Sequence, residues 1–514
     1  MIVVYHSGNK ITEVVSMDNQ KIKFDCTGTI SAGLIQLAAV FIDKKIVWCH
    51  SNYKEHLALE KINILHHHHK MMLSFRPKSN NFFDTSLGYV EDSLFMNVNK
   101  KVTYPTWQMS SHVGVIHSSV LNAIGDKIVC EPDFDYYLSS LAKLCMPLGL
   151  LCYSEPQLLN SVEIDYSSAT ASNFTLFRFV KQHYKTRWVF LLLFNLIFYQ
   201  SKFKLFPFLC CFWNKKRNNG SINLKTIVVE SFLENMGSRK IDVVIPTIGR
   251  KEYLHDVLKD FSMQSLLPRK IIIVEQNPEL FSTSELDYIE TENWPFEIHH
   301  IFTHQAGACN ARNLALSQIK SEWVFLADDD IRIDVDLIEK TFKNIEKFGV
   351  KAVSLCCLQK KEVSTFKNVF QWGSFGSGCS FVASDILKNC SFILGYEFGY
   401  GEDSDFGMQL RNQGYDVLFL PEPVIVHLKA PVGGFRTKPI LKWHSELIQP
   451  KPSPTVMLYL ITHNTKQQIL GYKIVLLFKY YKHQNSRNPF LYFTVFNKQW
   501  KQSVYWANQL KIDS

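Results

Sequence analysis

The chain has 514 residues, 46% hydrophobic and 20% charged, with 23 Gly and 18 Pro. This composition excludes collagen, a coiled coil and wholesale disorder, and the length allows two to four domains, each with its own core. The formal net charge is +9, yet two stretches lack Asp and Glu entirely: 166–229 carries ten Lys/Arg and 447–512 carries nine. The remainder is therefore net negative, an acidic body with two basic, aromatic attachments.

The opening MIVVYHSGNK has no cationic segment ahead of an apolar run, so no secretory signal is read there. Twelve Cys without CxxC spacing point to reduced thiols and a cytoplasmic setting. Residues 1–165 form an N-terminal α/β region, with strand-like KIVWCHSN (45–52) and KIVCE (127–131). The four-His tract His66–His69 has no acidic or Cys companion at ligand spacing and is read as a surface feature. PDFDYYLSSLAKLCMPLGLLCYSEPQLL (132–159) echoes GEDSDFGMQLRNQGYDVLFLPEPVIV (401–426), with Asp133 and Asp135 set against Asp403 and Asp405. On that echo the first 165 residues read either as a degenerate copy of the later domain or as a coincidence in a hydrophobic context.

Residues 166–238 form a basic aromatic linker. Its apolar run WVFLLLFNLIFY (188–199) is twelve residues long and interrupted by Asn195, short of the ~20 that span a bilayer. Lys185, Arg187, Lys202, Lys204, Lys215, Lys216 and Arg217 surround it, among Phe and Trp. That mixture suits an interfacial segment on anionic lipid, peripheral on the inner membrane face; the other reading is a buried helix between domains. The helical C-terminal region, 437–514, repeats the chemistry in Tyr472–Lys482 and Phe490–Trp506. Its aliphatic runs favour lipid or a protein groove over stacked bases, so nucleic acid is not expected as a partner.

Residues 239–436 alternate strand and helix patterns. IDVVIPT (241–247), KIIIVEQN (270–277), EIHHIF (297–302), WVFLADDD (323–330) and KAVSLCC (351–357) read as buried strands of a mostly parallel, Rossmann-like sheet. Ligands then belong beyond the carboxyl ends of the strands. Three carboxylates at one strand end, Asp328–Asp329–Asp330, repel unless a cation or donors compensate, and Mg²⁺ or Mn²⁺ would do so. Thr247, after Pro246, and Glu275 end two other strands. GACNARN (307–313) opens a helix with backbone N–H groups and Arg312. WGSFGSGCS (372–380) is Gly-rich, Glu402, Asp403 and Asp405 sit at a helix start, His427 follows VIVH, and Arg436 lies in GGFR.

In this order the pieces VVIPT, IIIVEQ, GACNARN, the DDD strand end and the GED-D helix resemble a glycosyltransferase family 2 catalytic domain of the GT-A fold, over about 240–436. The tail and the early YPTWQMSSHVGVIHSSVL are similar to proteins of bacterial surface-polysaccharide clusters. The resemblance implies a metal-dependent, inverting glycosyltransferase that moves a sugar from a nucleotide-sugar donor to a glycan, lipid-linked acceptor. It implies that Pro246, Thr247, Glu275, Arg312, Asp328 and Asp329 hold the nucleotide. Asp328, Asp330 and His427 hold the metal, Arg436 closes on the diphosphate, Asp403 is the general base and Glu402 positions a substrate. Glu275 departs from the Asp more usual there. A nucleotidyltransferase and a non-catalytic scaffold of a polysaccharide assembly complex are the alternatives.

Overall fold

The structure, a computed structural model, describes residues 1–25, 28–77, 81–160, 170–233, 237–431, 439–483 and 488–512. The chain divides into two units: unit 1 is Met1–Glu234 with Thr465–Val475, and unit 2 is Asn235–Asn464 with Leu476–Ser514.

Unit 1 is built on seven strands: β1 (Ile2–Ser7), β2 (Lys10–Ser16), β3 (Lys45–His50), β4 (Met71–Phe75), β5 (Tyr104–Pro105), β6 (Val113–His117) and β7 (Leu151–Ser154). Their order across the sheet is β2-β1-β3-β6-β4-β7-β5. The central strands are buried on both faces, as continuous apolar runs such as Ile46–Cys49 require. Helices α1 (Ile30–Val40), α2 (Leu59–Leu65), α3 (Ser118–Ile124) and α4 (Phe134–Cys145) follow the strands. Thr29 caps α1 by accepting from Ala32 N, and Asp133 caps α4 by accepting from Tyr136 N.

Three further helices come from the basic aromatic stretch: α5 (Asn173–His183), α6 (Arg187–Gln200) and α7 (Leu205–Cys210). They are amphipathic with a difference, because both faces carry large apolar residues. Phe177, Phe179, Val189, Leu192 and Leu196 join the core around Trp48 and Tyr136. Phe190, Phe198, Phe203, Phe206, Leu209 and Trp213 are exposed, Trp213 by 88%. No described helix is long and apolar enough to cross a membrane. The His tract differs from its expected surface place. His66 and His68 are fully buried, His66 Nε2 lies 2.9 Å from Met71 O, and burial pushes the His66 imidazole down to about 3. The tract lies in the turn between α2 and β4, where His66 and His68 pack inward and His67 and His69 stay half-buried, which composition alone does not reveal.

Unit 2 holds β8 (Ile241–Thr247), β9 (Lys270–Gln276), β10 (Glu297–Thr303), β11 (Trp323–Ala327), β12 (Ile331–Arg332), β13 (Ala352–Gln359), β14 (Phe370–Gln371), β15 (Cys379–Ala383) and β16 (Leu418–His427). The order is β10-β9-β8-β11-β15-β13-β16-β12, with β14 on β16. β10, β9, β8 and β11 run parallel, β15 is antiparallel to both its neighbours, and β13 and β16 are parallel. Helices α8 (Lys251–Ser262), α9 (Tyr288–Thr291), α10 (Ala308–Leu316) and α11 (Leu337–Phe348) connect the first strands. α8 buries Leu254, Val257, Leu258 and Phe261, one face at helical spacing, and α11 stops at Gly349, whose φ of 62° favours glycine. α12 (Glu402–Asn412) leads into β16, and α13 (Pro454–His463), α14 (Lys466–Tyr481) and α15 (Pro489–Ile512) close the chain. The parallel strands β8, β9 and β11 share one carboxyl edge, and that edge collects Thr247, Glu275 and Asp328–Asp330.

Candidate active site

Register brings the first nucleotide-side residues together: Thr247 pairs with Glu275 across β8 and β9. Glu275 is buried. Its Oε2 lies 2.9 Å from His300 Nε2 and its Oε1 accepts from Glu285 N at 3.1 Å. Burial alone would raise this carboxyl, but the bonds from His300, Ser284 and Glu285 N hold it below its ordinary value. A cavity of about 570 Å³ opens beside His300, walled by Trp294 and Phe296. Pro246 precedes Thr247 inside β8.

The three Asp after β11 take three different roles, which side-chain alternation at a strand end permits. Asp329 points inward, 3% exposed, and accepts from Thr247 Oγ1 at 2.7 Å and Arg250 Nη1 at 2.5 Å. Burial pushes it up to about 6 despite the Arg250 charge. Asp330 accepts from Ala430 N at 2.8 Å and lies 3.2 Å from His427 Nε2 and 3.3 Å from Arg250 Nη1. Burial opposes ionisation of Asp330; His427, Ala430 N and Arg250 outweigh it and lower its pKa. Asp328 is the outward one, half-exposed, and accepts from Arg312 Nη2 at 3.1 Å. Gly378 sits against it so closely that a Cβ there would meet Asp328 Oδ2 at 2.1 Å.

Asp328, Asp330 and His427 each present one ligand atom, all within 4.8 Å of one another. Two carboxylates and an imidazole at the open edge of a sheet suit a divalent cation, and the bare backbone of Gly378 leaves Asp328 room to turn toward one. The donor set therefore fits Mg²⁺ or Mn²⁺.

On the other side of Arg312 lies the helix-start carboxylate pair. Ser377 donates to Asp403 Oδ1 from both its backbone N, at 3.2 Å, and its hydroxyl, while Oδ2 has no hydrogen bond among the described residues. Burial raises the Asp403 pKa, against the Arg312 charge and the Ser377 bonds. Glu402 is pushed up to about 7 by burial and by the Asp403 charge. Arg312, itself buried, feels Asp328, Asp403 and Glu402 together and leaves its Nε unpartnered among the described residues. The site is thus an anion-rich edge with one buried guanidinium between the metal-type cluster and the Asp403 pair.

Residues 242–391 match the family described as Glycosyl transferase family 2. The chain contains a glycosyltransferase family 2 domain. Asp403 and His427 lie beyond the matched residues of that domain. Among solved structures, TarS 1–349 of S. aureus is similar at 16% identity and a TM-score of 0.31, over 37% of this chain and 60% of that one, under two thirds of its length. The mannosyltransferase PcManGT of Pyrobaculum calidifontis, in complex with GDP-Man and Mn²⁺, is similar at 14% identity and a TM-score of 0.28, over 53% of this chain and 73% of that one. No curated protein matches the chain in sequence.

Within unit 2 several expectations change. The helix opened by GACNARN does not offer its N-terminus to a ligand, because the Glu397 carboxylate already accepts from Cys309 N at 3.1 Å and Asn310 N at 3.0 Å. Asp405 turns into the core, where it meets His463 Nε2 at 2.6 Å and Gln409 Nε2 at 2.7 Å. Arg250 and Lys251, just past the end of β8, are engaged: Arg250 holds Asp329 and Asp330, and Lys251 holds Asp287. Arg436 lies outside the described residues. Sequence reasoning missed Glu397, Arg250 and Ser377 as organising residues. Arg250 alone had a signal, a basic residue just past the first strand end.

Proposed function

We propose that unit 2 is an inverting, metal-dependent glycosyltransferase that moves a sugar from a nucleoside-diphosphate sugar to a hydroxyl of a glycan acceptor presented at a membrane surface. The observation that carries this reading is the open Oδ2 of Asp403, a half-buried carboxylate of raised pKa, beside the Arg312–Asp328 pair and the metal-type cluster. Thr247 and Glu275 line the nucleotide side, Asp329 braces Thr247 and Arg250 from within, and Asp328, Asp330 and His427 would hold the cation. The cation, when bound, offsets negative charge that builds on the leaving diphosphate. Asp403 Oδ2 takes the proton from the acceptor hydroxyl as its oxygen bonds to the anomeric carbon, and the bond from that carbon to the diphosphate oxygen breaks with its electron pair. The raised pKa of Asp403 strengthens it as a base. Ser377 fixes its orientation, and Glu402 positions the acceptor.

The exposed aromatic faces of α5–α7 and α15, together with the exposed Lys202, Lys215 and Lys216, support contact with anionic lipid, and a lipid-linked acceptor would be met there. Asp403→Asn tests the central step. Transfer is expected to fall by 10²–10⁴-fold, the usual range for loss of a general base, with nucleotide affinity retained. Loss of nucleotide binding together with transfer would reject the role of Asp403.

A further inference from the structure

The two sheets share a five-strand core. β1 and β3 are parallel, β6 is antiparallel to β3 and β4, and β4 and β7 are parallel. β8, β11, β15, β13 and β16 repeat this in the same chain order. Three internal hydrogen bonds recur at matched positions. Ser110 N donates to Ser74 Oγ at 2.9 Å as Gly376 N donates to Ser354 Oγ at 3.3 Å. Ser111, two residues before β6, donates N–H (3.0 Å) and hydroxyl (2.7 Å) to Asp135, as Ser377, two residues before β15, donates both to Asp403. Asp135 and Asp403 each hold the second position of their helix, so the sequence echo is offset by two residues: Asp135, not Asp133, stands opposite Asp403.

The same register shows what unit 1 lacks. Cys49 pairs with Val113 as Ala327 pairs with Cys379, so His50, Ser51 and Asn52 stand where Asp328, Asp329 and Asp330 stand. The parallel strands β9 and β10 have no counterpart among the described residues of unit 1, and β1 is flanked instead by the antiparallel β2. The metal carboxylates and the nucleotide side are gone, while the half that carries the base-like carboxylate remains. At that half, past the ends of β4 and β7, lies a cavity of about 480 Å³ lined by Arg76, Lys100, Lys101 and Gln108, with Phe82 and Tyr104 as apolar walls. Arg76 joins it to the conserved-geometry pair, 3.4 Å from Asp135 Oδ1. Gln108 Oε1 is buried with no hydrogen-bond partner among the described residues, an acceptor waiting for a donor.

We propose that this cleft of unit 1 binds an oxyanion-bearing saccharide, a uronate or a sugar phosphate, without a metal ion. Arg76, Lys100 and Lys101 take the oxyanion, Gln108 Oε1 accepts from a sugar hydroxyl, and the aromatic walls cover the ring. Burial that lowers the Lys100 pKa adds to the gain from an arriving anion. That the ligand is a saccharide rests on the transferase reading of unit 2; the site and its preference for anions rest on unit 1 alone.

Calorimetry on the full chain in EDTA tests this with three probes: a uronic-acid tetrasaccharide, a glycerol-phosphate trimer and a neutral tetrasaccharide. One or both anionic probes are expected to bind, their ratio telling carboxylate from phosphate, and the neutral one is not. Lys100→Gln with Lys101→Gln, and separately Gln108→Leu, are each expected to weaken binding at least tenfold in protein of unchanged circular dichroism. Because Gln108→Leu leaves the charge unaltered, binding that survives it would mark mere charge attraction and overturn the site. Equal binding of the neutral probe, or none of either anion, would overturn it too. In a separate titration without EDTA, UDP with Mn²⁺, the probe of unit 2, is expected to leave this binding unchanged, and competition would overturn the assignment to unit 1. Nucleotide binding is read separately, so failure of one reading is visible apart from the other.

Discussion

Gly378→Ala is expected to uncouple the candidate metal cluster while sparing the fold. The added Cβ would lie 2.1 Å from Asp328 Oδ2, 2.2 Å from its carboxyl carbon and 2.6 Å from Oδ1, whereas ordinary contact begins near 3.4 Å. The carboxylate must therefore retreat by more than ~1 Å, which breaks its 3.1 Å bond to Arg312 and swings it out of the Asp330–His427 cluster. A displacement of about 1 Å in a positioned group costs on the order of 10²-fold in rate, and disturbing the groups that set a metal ligand costs roughly 10–100-fold in metal affinity. Asp328 is 36% exposed and free to rotate into solvent, so melting is expected to shift by only a few degrees. Isothermal titration of nucleoside diphosphate with Mn²⁺ measures the loss, with Asp328→Ala as the reference. Wild-type affinity in Gly378→Ala would refute the claim that Asp328 acts from this position.

Glu402 has a folded pKa of about 7 against an ordinary 4.5, so the folded chain binds extra proton between those values and stability tied to this group rises as pH falls from 7 to 4.5. Glu402→Gln is therefore expected to be more stable than wild type at pH 8, by roughly 1–3 kcal/mol, with the gain vanishing below pH 4.5 in thermal melts. Arg250→Ala strands two buried carboxylates and is expected to cost about 3–5 kcal/mol at pH 7, less at pH 5 where Asp329 takes a proton; denaturant melts at both pH values read this. Replacing the exposed Phe203, Phe206 and Trp213 by Ser is expected to lower affinity for phosphatidylserine vesicles at least tenfold in flotation, with no change for neutral vesicles beyond the small apolar share.

The sheet of unit 2 was legible because β8, β9 and β11 are continuous apolar runs that end in polar residues, and a parallel sheet sets such ends on one edge. The DDD cluster was legible as charge that needs compensation. Its division of labour was not: that Asp329 faces inward to Thr247 and Arg250 depends on strand-end geometry and on a partner about 80 residues away in sequence. The capping of α10 by Glu397 comes from equally far along the chain and has no local signature. The internal repeat could be sensed from acidic spacing but not registered by it. α4 starts on an Asp cap and α12 on Gly401, so equal acidic patterns fall on unequal helix positions. Only the shared strand pairing sets Asp135 against Asp403.

The most direct measurement is thermal unfolding of the full chain with UDP, GDP and dTDP, each with and without Mn²⁺. One of them is expected to stabilise the chain in a way that requires the metal and disappears in Asp330→Ala. Folded protein that responds to none of the three, or to one of them equally in EDTA, would contradict a metal-dependent nucleotide-sugar site at Asp328, Asp330 and His427.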